Sequence, residues 1–344
     1  MMIRFIHMTL ISLLIAGCSV SEKPPISPVA VEGVAFYSMP WTVKVSTLPT
    51  GVSAEMLQKD LQTVLDDANT VLSTYQPDTE LMRLNAAPVG QWVKVSPMLL
   101  RAVQTAVTVS ELSGGAYDIT VGPLVNLWGF GPKAVPDRVP DAAQIAATRA
   151  MVGWQHIGID AGQSALMRKA DIQIDLSSVG EGVAVDALVA HLQASGVKDF
   201  MVSVAGCTRV AGHKPDGSGW VIAIERPDGS GQAQQLLALT NQAISTSGSY
   251  RNYHEIAGKR YSHTIDPSTG APITHHGVSV SVIAVDGNII RADALATALN
   301  VLGPQRGLAL AEQENIPAWF IEHTEAGLRV QYTQAMKAWL PKKK

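Results

Sequence analysis

The stretch FMVSVAGCTRVAGHKPDGSGWVIAIERPDGSGQAQQLLALT, Phe200–Thr240, decides the fold class. Within it FMVSVAG, WVIAIERP and QLLALT are short apolar runs suited to strands, and the connections carry Asp216-Gly217 and Asp228-Gly229, dipeptides that favour tight turns. The expectation is an antiparallel meander. Toward the C-terminus VSVSVIAV, Val278–Val285, alternates as a further strand, and PAWFI and LRVQY read as closing strands. Helices flank these runs. Leu57, Leu61, Val64, Leu65, Ala68, Val71 and Leu72 share one helical face behind an N-cap at Ser53, and a second helix runs from Pro97, after Ser96, to a glycine stop at Gly114. A third follows the strand-like ADIQIDL and spans about Gly182 to Ser195, stopping at Gly196. A fourth spans about Arg291 to Leu302, and Gln305 to Glu314 is helical again. No repeat of fixed period shows. Helices and antiparallel strands in blocks give an α+β domain, a large mixed or antiparallel sheet with packed helices.

The chain of 344 residues, 47% hydrophobic, is long enough for an ample core. A net charge of -3 gives no footprint for nucleic acid, and the one basic run is the terminal Lys342, Lys343 and Lys344. Arg4 followed by the apolar Phe5–Ala16 and by LIAGC forms a signal peptide over residues 1–18, too short for a spanning helix. LIAGC looks like a bacterial lipobox with Cys18 as the lipidated residue. The expected organisation is therefore a leader over 1–18, a Pro-rich tether over 19–34 and one domain over 35–340, held at a membrane by lipid and facing the periplasm. Cys207 is then the sole remaining thiol, so no disulfide forms within the domain, and it reads as an inert buried side chain.

Several stretches carry candidate chemistry. GGAYDITVGPLVNLWGFGP, Gly114–Pro132, has one charged side chain, Asp118, among glycines, prolines and aromatics; it suits the wall of a ligand cavity or a buried crossover. Neither a Rossmann fingerprint nor a Walker A loop is present. DLSSVGEGVAVD, Asp175–Asp186, enters a helix through two glycines, which is either a phosphate seat with Asp175 and Ser178 as oxygen donors or a capped helix start. Asp293 and Thr297, spaced i, i+4, share a helical face as Mg2+ ligands or as a helix acid and a back-bonded Thr. His263, in YSHTIDPSTGAP, is a general base or a structural histidine, and STSGSYR, Ser245–Arg251, is a phosphate cradle or a hairpin. His275 and His276 have no carboxylate at metal spacing and read as loop residues.

Taken together, LSTYQPDTELMRLN, GGAYDITVGPLVNLWGFGP, DLSSVGEGVAVD, ISTSGSYRNY, RYSHTIDPSTGAPI and ADALATALNVLGP resemble the ApbE family, the bacterial FAD:protein FMN transferases, from about Met39 to the C-terminal helices. The resemblance implies an ApbE-like, T-fold-related architecture. It also implies Mg2+-dependent transfer of the FMN half of FAD to a Thr or Ser hydroxyl of a flavoprotein, with release of AMP. Met39, Tyr75, Ala116, Tyr117, Asp118, Asp175, Glu181 and Ile265 would contact FAD. Asp293 and Thr297 would hold Mg2+ by side chain and Ser178 through its backbone carbonyl, with Ala296 at a further metal-site position. His263 would take the hydroxyl proton. The implied acceptors are subunits of the sodium-pumping NADH:quinone oxidoreductase or Rnf complex, or other proteins with FMN-binding domains.

This chain departs from the pattern in places. Glu181 stands where many relatives have Lys, Ala205 precedes Gly206 and Cys207 where a Gly-Gly pair is common, and Ala296 stands where some relatives carry a second Asp. Two other functions compete with the transferase: an FAD pyrophosphatase, with water in place of the protein hydroxyl, and a non-catalytic FAD-binding lipoprotein. Monomer is the expected state, since no heptad or large apolar helix face is evident.

Overall fold

The computed structural model describes residues 27–132, 138–250, 252–256 and 258–341. The expected leader with Cys18, residues 19–26 of the expected tether, Arg251 and the terminal lysines lie outside the described residues. Eight strands form one sheet: β1 Val29–Ala35, β2 Met39–Val45, β3 Phe200–Val204, β4 Cys207–Ala211, β5 Ala243–Gly248, β6 Gly277–Ala284, β7 Ala318–Thr324 and β8 Gly327–Tyr332. Their order in space is their order in the chain, and every neighbouring pair is antiparallel. The sheet is therefore antiparallel throughout. Four long helices, α1 Ala54–Leu72, α2 Pro97–Leu112, α3 Gly180–Ala194 and α4 Ile289–Gln313, complete the α+β fold.

The meander expected over Phe200–Thr240 is only partly right. The run FMVSVAGCTRVA makes two strands, β3 and β4, around Ala205-Gly206. Strands Trp220–Glu225 and Ala233–Leu239 do pair about the Asp228-Gly229 turn, but they form a sheet of their own. The reason is burial: folded across the large sheet, the hairpin packs Trp220, Ile224, Leu237 and Leu239 on Val210, Ile244, Ile283 and Trp319. That closes a second core on the face away from the helices.

On the helix face, α4 lies across β5 and β6, α3 packs on β3 and β4, α1 packs on α3, and α2 on α4. Ser53 Oγ accepts from the Met56 N–H and Ser96 Oγ from the Leu99 N–H, so local capping chemistry starts α1 and α2 where the sequence placed them. α4 breaks at Gly303, whose φ of 75° and ψ of 177° are non-helical, followed by Pro304. The two expected helices, Arg291–Leu302 and Gln305–Glu314, are its halves.

Two expectations fail here. ADIQIDL joins no sheet, because side chains replace a ladder: the Asn85 amide pairs with both the N–H and C=O of Ile174, and the Arg168 guanidinium donates to the Ile172 carbonyl. Residues 29–34 of the expected tether are instead edge strand β1. Val31 and Ala35 bury on the core, and Gly33 leaves room for Trp41, whose Nε1 would lie 2.7 Å from a Cβ built at that position. Among the described residues no helix is long and apolar enough to cross a membrane.

Candidate functional site

The start of α3 meets α4 beside β4 and β5, and three carboxylates gather around this corner. Asp293 is buried, with Oδ2 accepting from the Gly182 N–H at 2.9 Å and Oδ1 from the Ser245 hydroxyl at 2.9 Å. Glu181 Oε2 accepts from the Gly206 N–H at 2.7 Å, and the Tyr117 hydroxyl bonds the Ser178 hydroxyl at 2.9 Å. Each acid has a glycine against it. A Cβ built on Gly182 would lie 3.0 Å from Asp293 Cβ, one on Gly206 3.2 Å from Glu181 Oε2, and one on Gly122 3.0 Å from Asp175 Cβ. These are close approaches that only glycine permits without a shift of backbone or acid.

Burial holds the Asp293 carboxyl above the usual carboxylate range, and burial followed by the charge of Asp293 does the same for Glu181. Among the described residues, no Lys, Arg or His forms an ion pair with Asp118, Asp175, Glu181 or Asp293. Burial also pushes up the Tyr117 phenol and the Cys207 thiol, so both stay protonated near neutral pH. Cys207 is fully buried, as its sequence surroundings suggested, and donates to the Ser245 hydroxyl at 3.2 Å.

The donors left over fit a divalent cation. The Gly182 N–H, which in a regular helix would turn toward the Ser178 carbonyl, is taken by Asp293, and no described donor reaches that carbonyl. Thr297 makes no bond back to the preceding turn, unlike Thr63 and Thr108, and its hydroxyl has no described partner. A carboxylate, a hydroxyl and a carbonyl without opposing positive charge are hard oxygen ligands of the kind Mg2+ takes. Ala296 is a correction: its methyl is fully buried in the core and offers no side-chain donor.

The other expected FAD contacts are distributed more widely. Ala116 and Tyr117 line the corner's flank, both buried. The Asp118 carboxylate is taken up internally by the Thr120 N–H, the Thr120 hydroxyl and the Trp154 N–H, so its side chain braces the wall. Asp175 Oδ1 accepts from the N–H and hydroxyl of Ser177, the turn-residue role that its sequence position allowed. Ile265 is buried with Leu124 and Trp128. Met39, half-buried at the start of β2, and Tyr75, exposed after α1, have no hydrogen bond or ring contact with the corner.

His263 Nδ1 donates to the Asn252 carbonyl at 3.0 Å, and its ring stands edge-on to Phe130 at 6.3 Å. A carbonyl only accepts, so Nδ1 carries the proton and Nε2 presents a lone pair. Burial keeps this imidazole below its usual pKa. No direct bond joins His263 to Asp293. Gly114–Pro132 connects the two regions, with Tyr117 on the carboxylate corner and Phe130 on His263, and so acts as a wall.

Beyond that wall lies a cavity of about 610 Å3, lined by Trp128, Tyr253, Tyr261, Lys259 and Arg260 among others, and by none of the residues expected to touch FAD or metal. His275 and His276 are loop residues, as expected. Ser245 was legible only as part of a hydroxyl-rich run, and its bond to Asp293 spans 48 residues. A period-two count would have paired it with Ser247, which accepts from the Asn300 amide one sheet step along the same face.

Residues 38–320 match the ApbE family. A FAD:protein FMN transferase of Vibrio cholerae is 39% identical over 331 residues, covering 96% of this chain and 97% of that protein. The FAD:protein FMN transferase of Salmonella typhimurium is likewise 39% identical, over 96% of this chain and 95% of its own. Among solved structures, the apo flavinyl transferase ApbE of Pseudomonas stutzeri is similar with a TM-score of 0.82 at 40% identity, over 91% of this chain and 96% of that one.

Proposed function

This chain belongs to the ApbE family, and we propose that it cleaves the diphosphate of FAD and transfers the FMN half to a Thr or Ser hydroxyl of an acceptor protein, releasing AMP. The observation that carries this reading is the buried Asp293 carboxylate, held by the Gly182 N–H and the Ser245 hydroxyl at the start of α3 with no described cation paired to it. Asp293, the Thr297 hydroxyl and the Ser178 carbonyl would hold Mg2+, which would neutralise the negative charge that grows on the diphosphate oxygens.

The chain's own groups do the rest. Gly182 and Ser245 fix both Asp293 oxygens, so the carboxylate is oriented before substrate arrives. Tyr117, kept protonated by burial, holds the Ser178 hydroxyl and with it the loop that presents the Ser178 carbonyl. An apolar wall from Gly114 to Pro132 that keeps water from the bound diphosphate would favour a protein hydroxyl over hydrolysis. The acceptor oxygen bonds to the FMN phosphorus, the phosphorus–oxygen bond to AMP breaks, and the hydroxyl proton passes to His263 Nε2.

The expected acceptors are subunits of the sodium-pumping NADH:quinone oxidoreductase or Rnf type, or other FMN-binding domains. The LIAGC motif supports a lipid anchor at Cys18 that holds the enzyme at the periplasmic face of a membrane. The test is to incubate residues 19–344 with FAD, Mg2+ and such an acceptor domain, with Asp293→Ala as control, and look for flavin fluorescence on the acceptor after denaturing electrophoresis. A Mg2+-dependent band that Asp293→Ala abolishes is expected. Free AMP and FMN without a band would replace this reading with a pyrophosphatase, and intact bound FAD would replace it with a carrier.

A further inference from the structure

We propose that the cavity beyond the wall receives an acidic segment of the acceptor protein and brings its hydroxyl to His263. The proposal rests on the transferase reading and adds the chemistry of the second substrate's site.

The cavity's charge is one-sided. Lys259, Arg260, His276 and His323 line it, and no Asp or Glu among the described residues does. Its volume of about 610 Å3 falls in the range of ordinary binding pockets. The cations are held ready: Lys259 Nζ lies 5.3 Å from the centre of the Tyr261 ring, and the Arg260 guanidinium 4.1 Å from that of Tyr253, with a further bond to the Tyr253 hydroxyl at 3.1 Å. Stacking of this kind lowers the ordering cost of long side chains when an anion arrives. Glu255 stands opposite Arg260 in the hairpin register but forms no ion pair with it. The His323 N–H donates to the His276 carbonyl at 2.9 Å, which brings these two residues together on one side. His275 is different: it takes the Gly277 N–H on Nδ1 and gives its Nε2 proton to the Asn300 carbonyl, so its ring is spent on the fold.

Position selects the occupant. Tyr261 and Ser262 line the cavity and lead directly into His263, whose Nε2 must meet the acceptor hydroxyl, while Trp128 closes the side toward the flavin wall. The diphosphate already has the metal corner, so a second basic site beside the base suits the other reactant. Positive lining steers an acidic segment and turns away a basic one.

The experiment uses the chain as it exists with a deca-glutamate peptide as probe, deca-lysine as its opposite, and an FMN-binding domain as acceptor. We expect deca-glutamate to bind, to compete with the acceptor and not with FAD, and deca-lysine not to bind. The double variant Lys259→Glu, Arg260→Glu should weaken the peptide and raise KM for the acceptor about tenfold or more. Its FAD affinity and its acceptor-free release of AMP should stay at the wild-type level. Both side chains are exposed on the hairpin, and Lys259→Gln, Arg260→Gln should give a smaller effect in the same direction. Unchanged peptide affinity and KM would overturn the proposal, as would displacement of the peptide by AMP or FAD, which would give the cavity to the nucleotide. If the wild-type chain binds no FAD, the transferase reading fails, and the peptide measurement still decides whether the cavity accepts acidic chains.

Discussion

The carboxylate corner and the basic cavity stand on either side of one aromatic wall and are built by opposite means. At the corner Asp293 is buried and Glu181 and Asp175 half-buried, each faces a glycine, and backbone N–H groups from distant elements fix two of them. In the cavity, cations project from an exposed two-stranded hairpin and rest on tyrosine faces. The first arrangement stores unbalanced charge in a rigid frame, which suits a metal and a diphosphate that must be held in line. The second keeps charge in solvent on an adaptable element, which suits a protein partner that must come and go. His263 lies between them. Its removal gives the largest expected effect: His263→Ala should lower transfer by about 10²–10⁴-fold with FAD still bound. Because burial lowers its pKa, the neutral base survives to lower pH, so at saturating Mg2+ the acid limb of the transfer rate should fall below the usual imidazole value of about 6.5. A limb at or above that value would remove His263 from the role.

The corner's rigidity can be broken by one methyl. Gly182→Ala places a Cβ 3.0 Å from Asp293 Cβ and 3.1 Å from the Ile289 carbonyl, neither of which is the end of a flexible chain. We expect a loss of about 1–3 kcal/mol of stability together with weaker metal-dependent transfer. Denaturant unfolding and the transfer assay check both halves. An equivalent glycine substitution at the exposed hairpin, Gly258→Ala, meets nothing within 4 Å and pays only for its φ of +75°. A milder change sharpens the ligand set. Thr297→Val keeps the shape and breaks no described hydrogen bond, so stability should hold while Mg2+ affinity falls about tenfold. Unchanged affinity by calorimetry would strike Thr297 from the ligands.

How much of this could be read from sequence follows the range of each interaction. The starts of α1 and α2 were legible to the residue because Ser53 and Ser96 cap them within one turn, whereas α2 ends at Leu112 with Ser113 as its C-cap, one residue before the expected Gly114. In the large sheet β3, β6, β7 and β8 were legible as apolar runs, whereas β1 read as tether, β5 as a hydroxyl-rich cradle or hairpin, and β2 and β4 carried no strand signal. The fate of the Trp220–Leu239 hairpin was not, since the apolar face it covers comes from β4, β5, β6 and β7. At the site, residue types were visible and partnerships were not: Asp293 reaches Gly182 across 111 residues, and nothing local marks that bond. Asp118 shows the converse, a charged residue in a suggestive stretch whose carboxylate is spent on its neighbours. The cavity left the weakest trace, because its lining runs from Trp128 to His323 with no motif of its own.

The smallest expected effect concerns the turn that supplies the Gly206 N–H to Glu181. Ala205 has a φ of 43°, in the left-handed region, between β3 and β4. An alanine there costs roughly 1–2 kcal/mol relative to a conformation that glycine adopts freely. Part of that is returned by the entropy that glycine adds to the unfolded chain. Ala205→Gly should therefore stabilise the protein by about 0.5–1 kcal/mol. The methyl's effect on the site then separates from its effect on the fold. If the strained alanine serves to press Gly206 onto Glu181, the stabilised variant will bind FAD less tightly. If the turn merely tolerates it, stability will rise and FAD affinity will not move. With Gly206 fixed from its other side by the bond from the Thr246 N–H to its carbonyl at 3.2 Å, the second outcome is the one we expect.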